Sequence, residues 1–341
     1  MNTIKLSVII PCRNESIYIE ECIHAIYASQ ISDQVQISVF IVDGMSDDGT
    51  REKIHSLQAT YETLKLIDNT RQLTPYAFNL GIYADMAADY IQIVGARHIL
   101  SPNYLSECLN QLQTDSATWC VGGKIVNQYI NKTGEHIAKA MSTSFGMGLG
   151  NFRTLNESGY TDTVTSPMYP MWVFEKIGYF DEELVRNQDD DFNYRVSKNG
   201  GKIFFHAGIH LKYYVRGNLK QLWKQFMQYG YWKVYVNKKH KAVTTLRQLV
   251  PPLFVLFLIL LPFSFLVHPL IGMIGLGFLG LYVLLDLLVT TKIAEGVSEF
   301  NKILIIFPIL HISYGWGYLK GIAAFLIANK KPGDKYKKMS R

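Results

Sequence analysis

Ser7-Val8-Ile9-Ile10-Pro11-Cys12-Arg13-Asn14-Glu15, followed by Val39-Phe40-Ile41-Val42-Asp43-Gly44-Met45-Ser46-Asp47-Asp48-Gly49-Thr50, decides the fold. Each stretch is a short β-branched run that stops at turn-forming residues and leads into a helical pattern. Together they read as two consecutive β-α units of a parallel sheet. In such sheets ligands bind outside the carboxyl ends of the strands. Pro11, Arg13, Glu15 and Asp43 gather there, which points to a nucleotide site.

Working outward, strands are predicted over 6–11, 37–42, 64–67 and 90–94, and helices over 15–29, 48–59, 75–86 and 102–112. Strand and helix alternate with short links, the pattern of an α/β protein with a mainly parallel sheet. Beyond Trp119 the pattern is less regular. Gly122-Gly123 and Phe145-Gly146-Met147-Gly148-Leu149-Gly150 read either as a loop that approaches a ligand or as plain surface. Order returns at 173–177, and a helix is expected to start near Asp189.

The chain has 341 residues, enough for one globular domain and more. Its mean hydropathy of +0.06 averages two kinds of sequence. A domain of mixed polarity is expected over 1–235, and a membrane region over 236–341 with apolar segments at about 249–267, 270–290 and 303–328. The third segment contains Pro308, His311, Tyr314, Gly315, Gly317 and Lys320, and three crossings would place the basic tail (Lys330, Lys331, Lys335, Lys337, Lys338, Arg341) on the far side. A re-entrant, interfacial or tilted third segment, with the tail returned to the cytoplasm, is therefore expected.

The formal charge of +6 is concentrated just before the first apolar run, at Lys220, Lys224, Lys233, Lys238, Lys239, Lys241 and Arg247. That placement suits an anionic membrane surface; no nucleic-acid module is present and no nucleic-acid partner is expected. Cys12, Cys22, Cys108 and Cys120 show no CxxC pairing and no metal spacing, so neither a zinc site nor a disulfide framework is indicated. The N-terminus shows no signal-peptide pattern, and the polar domain is expected in the cytoplasm.

These motifs, with Asn79 and Gly81, Ser101-Pro102-Asn103-Tyr104-Leu105 and Asn187-Gln188-Asp189-Asp190-Asp191, resemble the family 2 glycosyltransferases of GT-A fold over about residues 5–235. Within that family the likeness is to bacterial exopolysaccharide and succinoglycan-type transferases with C-terminal membrane segments. It rests on Phe145-Gly146-Met147-Gly148, Asp162-Thr163, Leu184-Val185-Arg186-Asn187, and Gln225 with Tyr229-Gly230. The resemblance implies that Pro11, Arg13, Glu15 and Asp43 contact the uridine part of a UDP-sugar, with Arg71 and Asn79 near the ribose and phosphates. It implies Asp189 as catalytic base, with Gln188 in place of the usual Glu, a change that removes a charge and eases ionisation of Asp189. Asp190, Asp191, Arg216, Gln225 and Tyr229 fall on the acceptor side. The Gln-x-x-Arg-Trp motif of processive synthases is missing, which favours addition of one sugar per acceptor.

The family also implies a divalent metal, Mg or Mn, held by a DxD motif after the fourth strand. This chain has Gly95-Ala96-Arg97-His98 there. Three readings are open: Arg97 meets the diphosphate directly; a metal is kept through His98, His206 or His210; or donor binding is lost. The implied function is inverting transfer from a UDP-sugar to a lipid-linked, polyprenyl-diphosphate saccharide in polysaccharide biosynthesis, at the inner (cytoplasmic) membrane. Transfer to polyprenyl phosphate, or a catalytically silent donor-binding or scaffold subunit, are the rivals.

Overall fold

The computed structural model describes residues 3–148 and 152–330. In chain order the elements are β1 (Ile4–Cys12), α1 (Ile19–Tyr27), β2 (Val35–Asp43), α2 (Thr50–Gln58), β3 (Leu64–Asp68), α3 (Thr74–Tyr83), β4 (Tyr90–Ile93), β5 (His98–Leu100), α4 (Tyr104–Thr114) and β6 (Thr118–Gln128). They continue with α5 (Lys132–Met141), α6 (Ser144–Met147), β7 (Gly159–Thr161), β8 (Thr165–Pro170), α7 (Met171–Ile177), α8 (Gln188–Lys198) and β9 (Lys202–Tyr214). The last are α9 (Leu219–His240), α10 (Val250–Val267), α11 (Pro269–Ile293) and α12 (Val297–Gly321), the last running into a π-helical turn, Ile322–Ile327.

The nine strands form one sheet in the order β3-β2-β1-β4-β8-β6-β9-β5, with β7 on β9. The first four run parallel, and β8 and β5 enter antiparallel to β4 and β9. In β1 every side chain from Leu6 to Ile10 is buried, as a strand covered on both faces requires. One core packs α1, α2 and α4 on one face, around Ile23, Ile54 and Leu105. A second packs α3, α7 and α8 on the other, around Phe78, Phe174 and Phe192.

The alternating first half follows the sequence expectation to within a few residues at each end. The irregular stretch after Trp119 does not: Gly122 and Gly123 lie inside the 11-residue strand β6. A Cβ on Gly122 would sit 2.5 Å from the Thr165 carbonyl oxygen, and one on Gly123 would sit 2.6 Å from that of Ile209. These glycines let neighbouring backbones approach and do not line a mobile loop.

The chain divides into two compact units: the described residues up to Val126 and from 152 to Tyr214 form the sheet unit, and 127–148 with 215–330 form the helical unit. The expected boundary near residue 235 therefore falls inside α9. In the helical unit α9 and α12 touch backbone to backbone. A Cβ on Gly230 would overlap the Tyr314 carbonyl oxygen, and one on Gly317 that of Met227. α5 joins α12 through Lys139, whose Nζ lies 2.8 Å from Glu299 and 2.9 Å from Glu295.

Three helices among the described residues, Leu246–Val267, Pro269–Ile293 and Val297–Ile327, are long and apolar enough to cross a membrane. The third is continuous helix through Pro308, and it buries 44% of its most apolar window within the protein against 17% and 11% for the others. Of the basic tail only Lys330 lies within the described residues, as does Gly148 of the glycine-rich stretch; Leu149 and Gly150 lie outside them.

Candidate functional site

Three strand ends stop level with one another. Cys12 pairs in register with Asp43, and Asp43 with Asp68. The chain leaving β1 is tied to the chain leaving β2. The Gly44 amide donates to the Cys12 carbonyl at 2.7 Å, and the Asn14 amide to Ser46 Oγ at 2.8 Å. The Asn14 side chain donates to Asp47 at 2.9 Å and accepts from the Asp47 amide at 3.1 Å. The Glu15 amide donates to Thr50 Oγ1 at 2.9 Å. Asn14 (φ 54°) and Met45 (φ 57°) adopt left-handed backbone, a cost that the cross-links hold in place.

Asp43 is fully buried at the end of β2. Its carboxylate accepts from the Ser46 amide at 2.9 Å, from the Ser46 hydroxyl, and from Arg51 at 2.8 Å. Arg51 also bridges to Asp68 at 2.8 Å. Arg13 lies partly exposed against Gly44, where an added Cβ would come within 3.2 Å of its Cδ. Pro11 is partly exposed on β1, while Arg71 is exposed with its guanidinium 5.8 Å from the ring of Tyr76.

Past β4, Gly95 and Ala96 bring Arg97 back toward β1. Arg97 Nε donates to Glu15 Oε2 at 2.8 Å and its Cζ lies 4.7 Å from the centre of the Tyr18 ring. Glu15 is 5% exposed. His98 Nδ1 accepts from the Gly95 amide at 3.3 Å and lies 2.6 Å from Ser166 Oγ. An amide can only donate, so the imidazole proton sits on Nε2. Burial, reinforced by the positive charge of Arg153, pushes His98 down to about 3. Ser166 is left-handed (φ 41°), and its carbonyl is gripped by Gln92 at 2.6 Å and Tyr104 at 3.0 Å.

At the start of α8, Asn187 is left-handed (φ 60°) and its side-chain amide donates to Asp190 at 2.8 Å. Asp191 is fully buried and pairs with Arg195 at 2.9 Å, whose terminal nitrogens bond the carbonyls of Ile177, Gly178 and Tyr179. Asp189 is exposed on the first turn; burial raises the Tyr169 phenol well above its ordinary value, and the nearby Asp189 charge adds a smaller push in the same direction.

A model of the family described as "Glycosyl transferase family 2" matches residues 7–178, which contain every one of these strand ends. The chain belongs to that family. The transferase is 27% identical over 328 residues to the "Dolichyl N-acetyl-alpha-D-glucosaminyl phosphate 3-beta-D-2,3-diacetamido-2,3-dideoxy-beta-D-glucuronosyltransferase" of Methanococcus voltae, covering 93% of this chain and 97% of that one. It is 27% identical over 247 residues to the succinoglycan biosynthesis protein ExoA of Rhizobium meliloti, covering 72% and 73%. Among solved structures it resembles the mannosyltransferase PcManGT of Pyrobaculum calidifontis, in complex with GDP-Man and Mn2+, at a TM-score of 0.52 and 15% identity over 97% of this chain and 76% of that one. That likeness shows the GT-A-type fold expected from the sequence.

Asn79 and Asp191 are among the expected site residues of the transferase that have other partners. Asn79 spends its amide on the Phe180 carbonyl (2.9 Å), the Glu182 carboxylate (3.0 Å) and the Phe180 amide (3.0 Å), so it fastens α3 to the segment before α8 and does not reach toward a ribose. Asp191 holds Arg195 in the α7–α8 turn and is not presented to an acceptor. Arg216, Gln225 and Tyr229 belong to the helical unit, where Gln225 is buried and donates to Tyr229 Oη at 2.8 Å. Among the described residues Arg216 keeps a buried Nε without a hydrogen-bond partner.

The donors at the DxD position do not fit a divalent cation. Arg97 is permanently cationic, and His98 offers an Nδ1 already engaged. His206 lies 3.7 Å from Glu107, and no group of three His, Cys, Asp or Glu among the described residues could hold a metal. The sequence reading missed Tyr18, Ser46, Arg51 and Ser166. Ser46 carried a signal, since a hydroxyl three residues past a strand-end Asp commonly closes a turn onto it.

Proposed function

We propose that this glycosyltransferase is inverting, takes a UDP-sugar as donor and transfers the sugar to a lipid-linked saccharide, with Asp189 as the base. The observation that carries the choice of base is the start of α8. Of its three consecutive carboxylates, Asp191 is fully buried and Asp190 half-buried, whereas Asp189 is exposed on the first turn. A base must reach the hydroxyl it deprotonates, which an exposed carboxylate can do and an enclosed one cannot.

The donor side is supported by the level strand ends. Arg13, partly exposed, lines the edge for the nucleoside while the buried Asp43 braces the turn behind it, and Arg97 stands beside Glu15 where the diphosphate of a family member is expected. As the acceptor oxygen bonds to the anomeric carbon from one face, the bond from that carbon to the diphosphate breaks on the other. The electron pair leaves with the diphosphate oxygen, and the hydroxyl proton passes to Asp189. Lipid-linked acceptors are favoured by the three apolar helices and by the two relatives, named for a dolichyl-phosphate-linked substrate and for succinoglycan biosynthesis. Confining both enzyme and acceptor to one membrane raises their encounter frequency without new contacts.

Asp189→Asn in the full chain is expected to lower transfer at least about a hundredfold, the scale of general base catalysis. Binding of UDP, measured by calorimetry, should stay within about twofold of the parent, since a carboxylate on the acceptor side makes no nucleotide contact. Retained turnover would remove Asp189 from the role. Transfer assayed against membrane lipid extracts and against free polyprenyl phosphate separates the saccharide acceptor from the bare lipid phosphate.

A further inference from the structure

We propose that the charge of the departing diphosphate is met here by the Arg97 guanidinium and not by a divalent cation, and that Glu15 is the positioning residue that aims it. The inference rests on the donor reading above and deepens it. Arg97 occupies the turn after β4 where the family places its metal-binding carboxylates. β4 runs beside β1, with the Val94 amide donating to the Ile9 carbonyl at 3.0 Å, so the turn reaches the loop that follows β1.

A guanidinium has two useful edges, and which one is presented depends on what holds the other. Here Nε is taken by Glu15 at 2.8 Å and the plane is packed over Tyr18 at 4.7 Å. Nε and the ring contact leave both terminal NH2 groups without a protein hydrogen bond among the described residues, as a fork that matches two phosphate oxygens. Glu15 cannot follow the ligand or swing away: it is 5% exposed, and its backbone amide is pinned to Thr50 Oγ1 at 2.9 Å. It therefore acts through Arg97, in place of the uridine contact that the sequence suggested. Its negative charge also offsets part of the arginine's charge, which tempers the grip on a product more negative than the donor.

When the bond between the anomeric carbon and the diphosphate oxygen breaks, the electron pair stays on that oxygen while the acceptor proton goes to Asp189. The new negative charge needs a fixed positive partner, and a preorganised donor costs no rearrangement at that moment. Arg97 supplies it without a change in coordination.

Calorimetric titration of the full-length chain in detergent, stripped with EDTA, with uridine and with UDP tests this. UDP is expected to bind about 10- to 100-fold more tightly than uridine with no metal added, the worth of charge-assisted hydrogen bonds. Arg97→Ala should erase most of that margin and leave uridine unchanged. Glu15→Gln keeps an acceptor for Nε but removes the opposing charge, so the margin should widen several-fold while kcat falls and uridine affinity holds. A merely structural role for Glu15 would weaken both ligands together and overturns its assignment. A UDP margin that arises only when Mg or Mn is added, or that survives Arg97→Ala, overturns the inference. If the parent protein binds neither uridine nor UDP, the donor reading falls first and takes the inference with it.

Discussion

Asp43 is enclosed by protein at the end of a buried strand, and Arg51 is its cationic partner there. Because Arg51 also spans to Asp68, removing it leaves two carboxylates without their shared cation. Breaking a buried pair by deleting one member is costly. With Arg51 a quarter exposed, Arg51→Met is expected to cost about 2–3 kcal/mol, toward or below the lower end for buried pairs. A fall in melting temperature reads it, and Asp43→Asn in the same chain should restore part of the loss. His98 sets a pH window. An unfolded histidine titrates near about 6.5, whereas the folded one is pushed down to about 3. Across that interval the unfolded chain binds a proton that the folded chain refuses, so stability falls as pH falls. His98→Gln should flatten the decline of melting temperature between those limits. Asp48 adds to acid sensitivity from the other side. Although burial acts to raise it, hydrogen bonds from Thr50 and Ser16 hold it below its ordinary value. Its contribution is present above the usual carboxylate range and is lost as pH drops through the folded value. At this scale the placement of Pro11, Arg13, Glu15 and Asp43 at the strand ends is legible, because position after a buried run marks it. Arg51 and Tyr18 are not, since Arg51 matters by joining two strand ends, at Asp43 and Asp68, and Tyr18 by meeting Arg97 far along the chain.

Elements were legible where the period was clean. β1, β2 and the helices after them alternate with turn residues between, and their ends were placed to within a few residues. β6 was not, because its two glycines read as loop when they are really close contacts between strands. Gly81 is similar. It lies in α3 over β1, and a Cβ there would sit 2.5 Å from Ile9 Cγ2. This gives the Asn79 and Gly81 motif a packing meaning: one residue fastens the next segment, the other lets the helix down onto the sheet. Gly81→Val should destabilise the sheet unit by about 1–3 kcal/mol, the usual cost of overpacking, read as a lower melting temperature. In the helical unit Gly230 and Gly317 do the same for α9 and α12. Gly317→Leu is expected to part these helices and expose the segment near Lys320 to protease, whereas Gly277→Leu on α11, which has open space around it, should leave the digestion pattern unchanged.

For the whole molecule, the basic residues before the first apolar helix predict that this end faces the cytoplasm. The four native cysteines are all buried, so a thiol introduced at exposed Lys239 can be labelled against a quiet background. Labelling in intact cells only by a membrane-permeant reagent is the expected result, and labelling by an impermeant one would reverse the orientation. The helical unit is also assembled from two separated stretches of chain, and this bears on how the protein is made. Lys139 must wait for Glu295, 156 residues further on, before their ion pair can form. At about 5–20 residues per second of synthesis, that interval is about 8–30 s. During it the inward face of α5, including Ile137, Ala140 and Met141, has left the ribosome while α12 has not. The newborn chain therefore carries an uncovered apolar surface for many seconds, a window in which a holding chaperone or early capture at the membrane decides between assembly and aggregation.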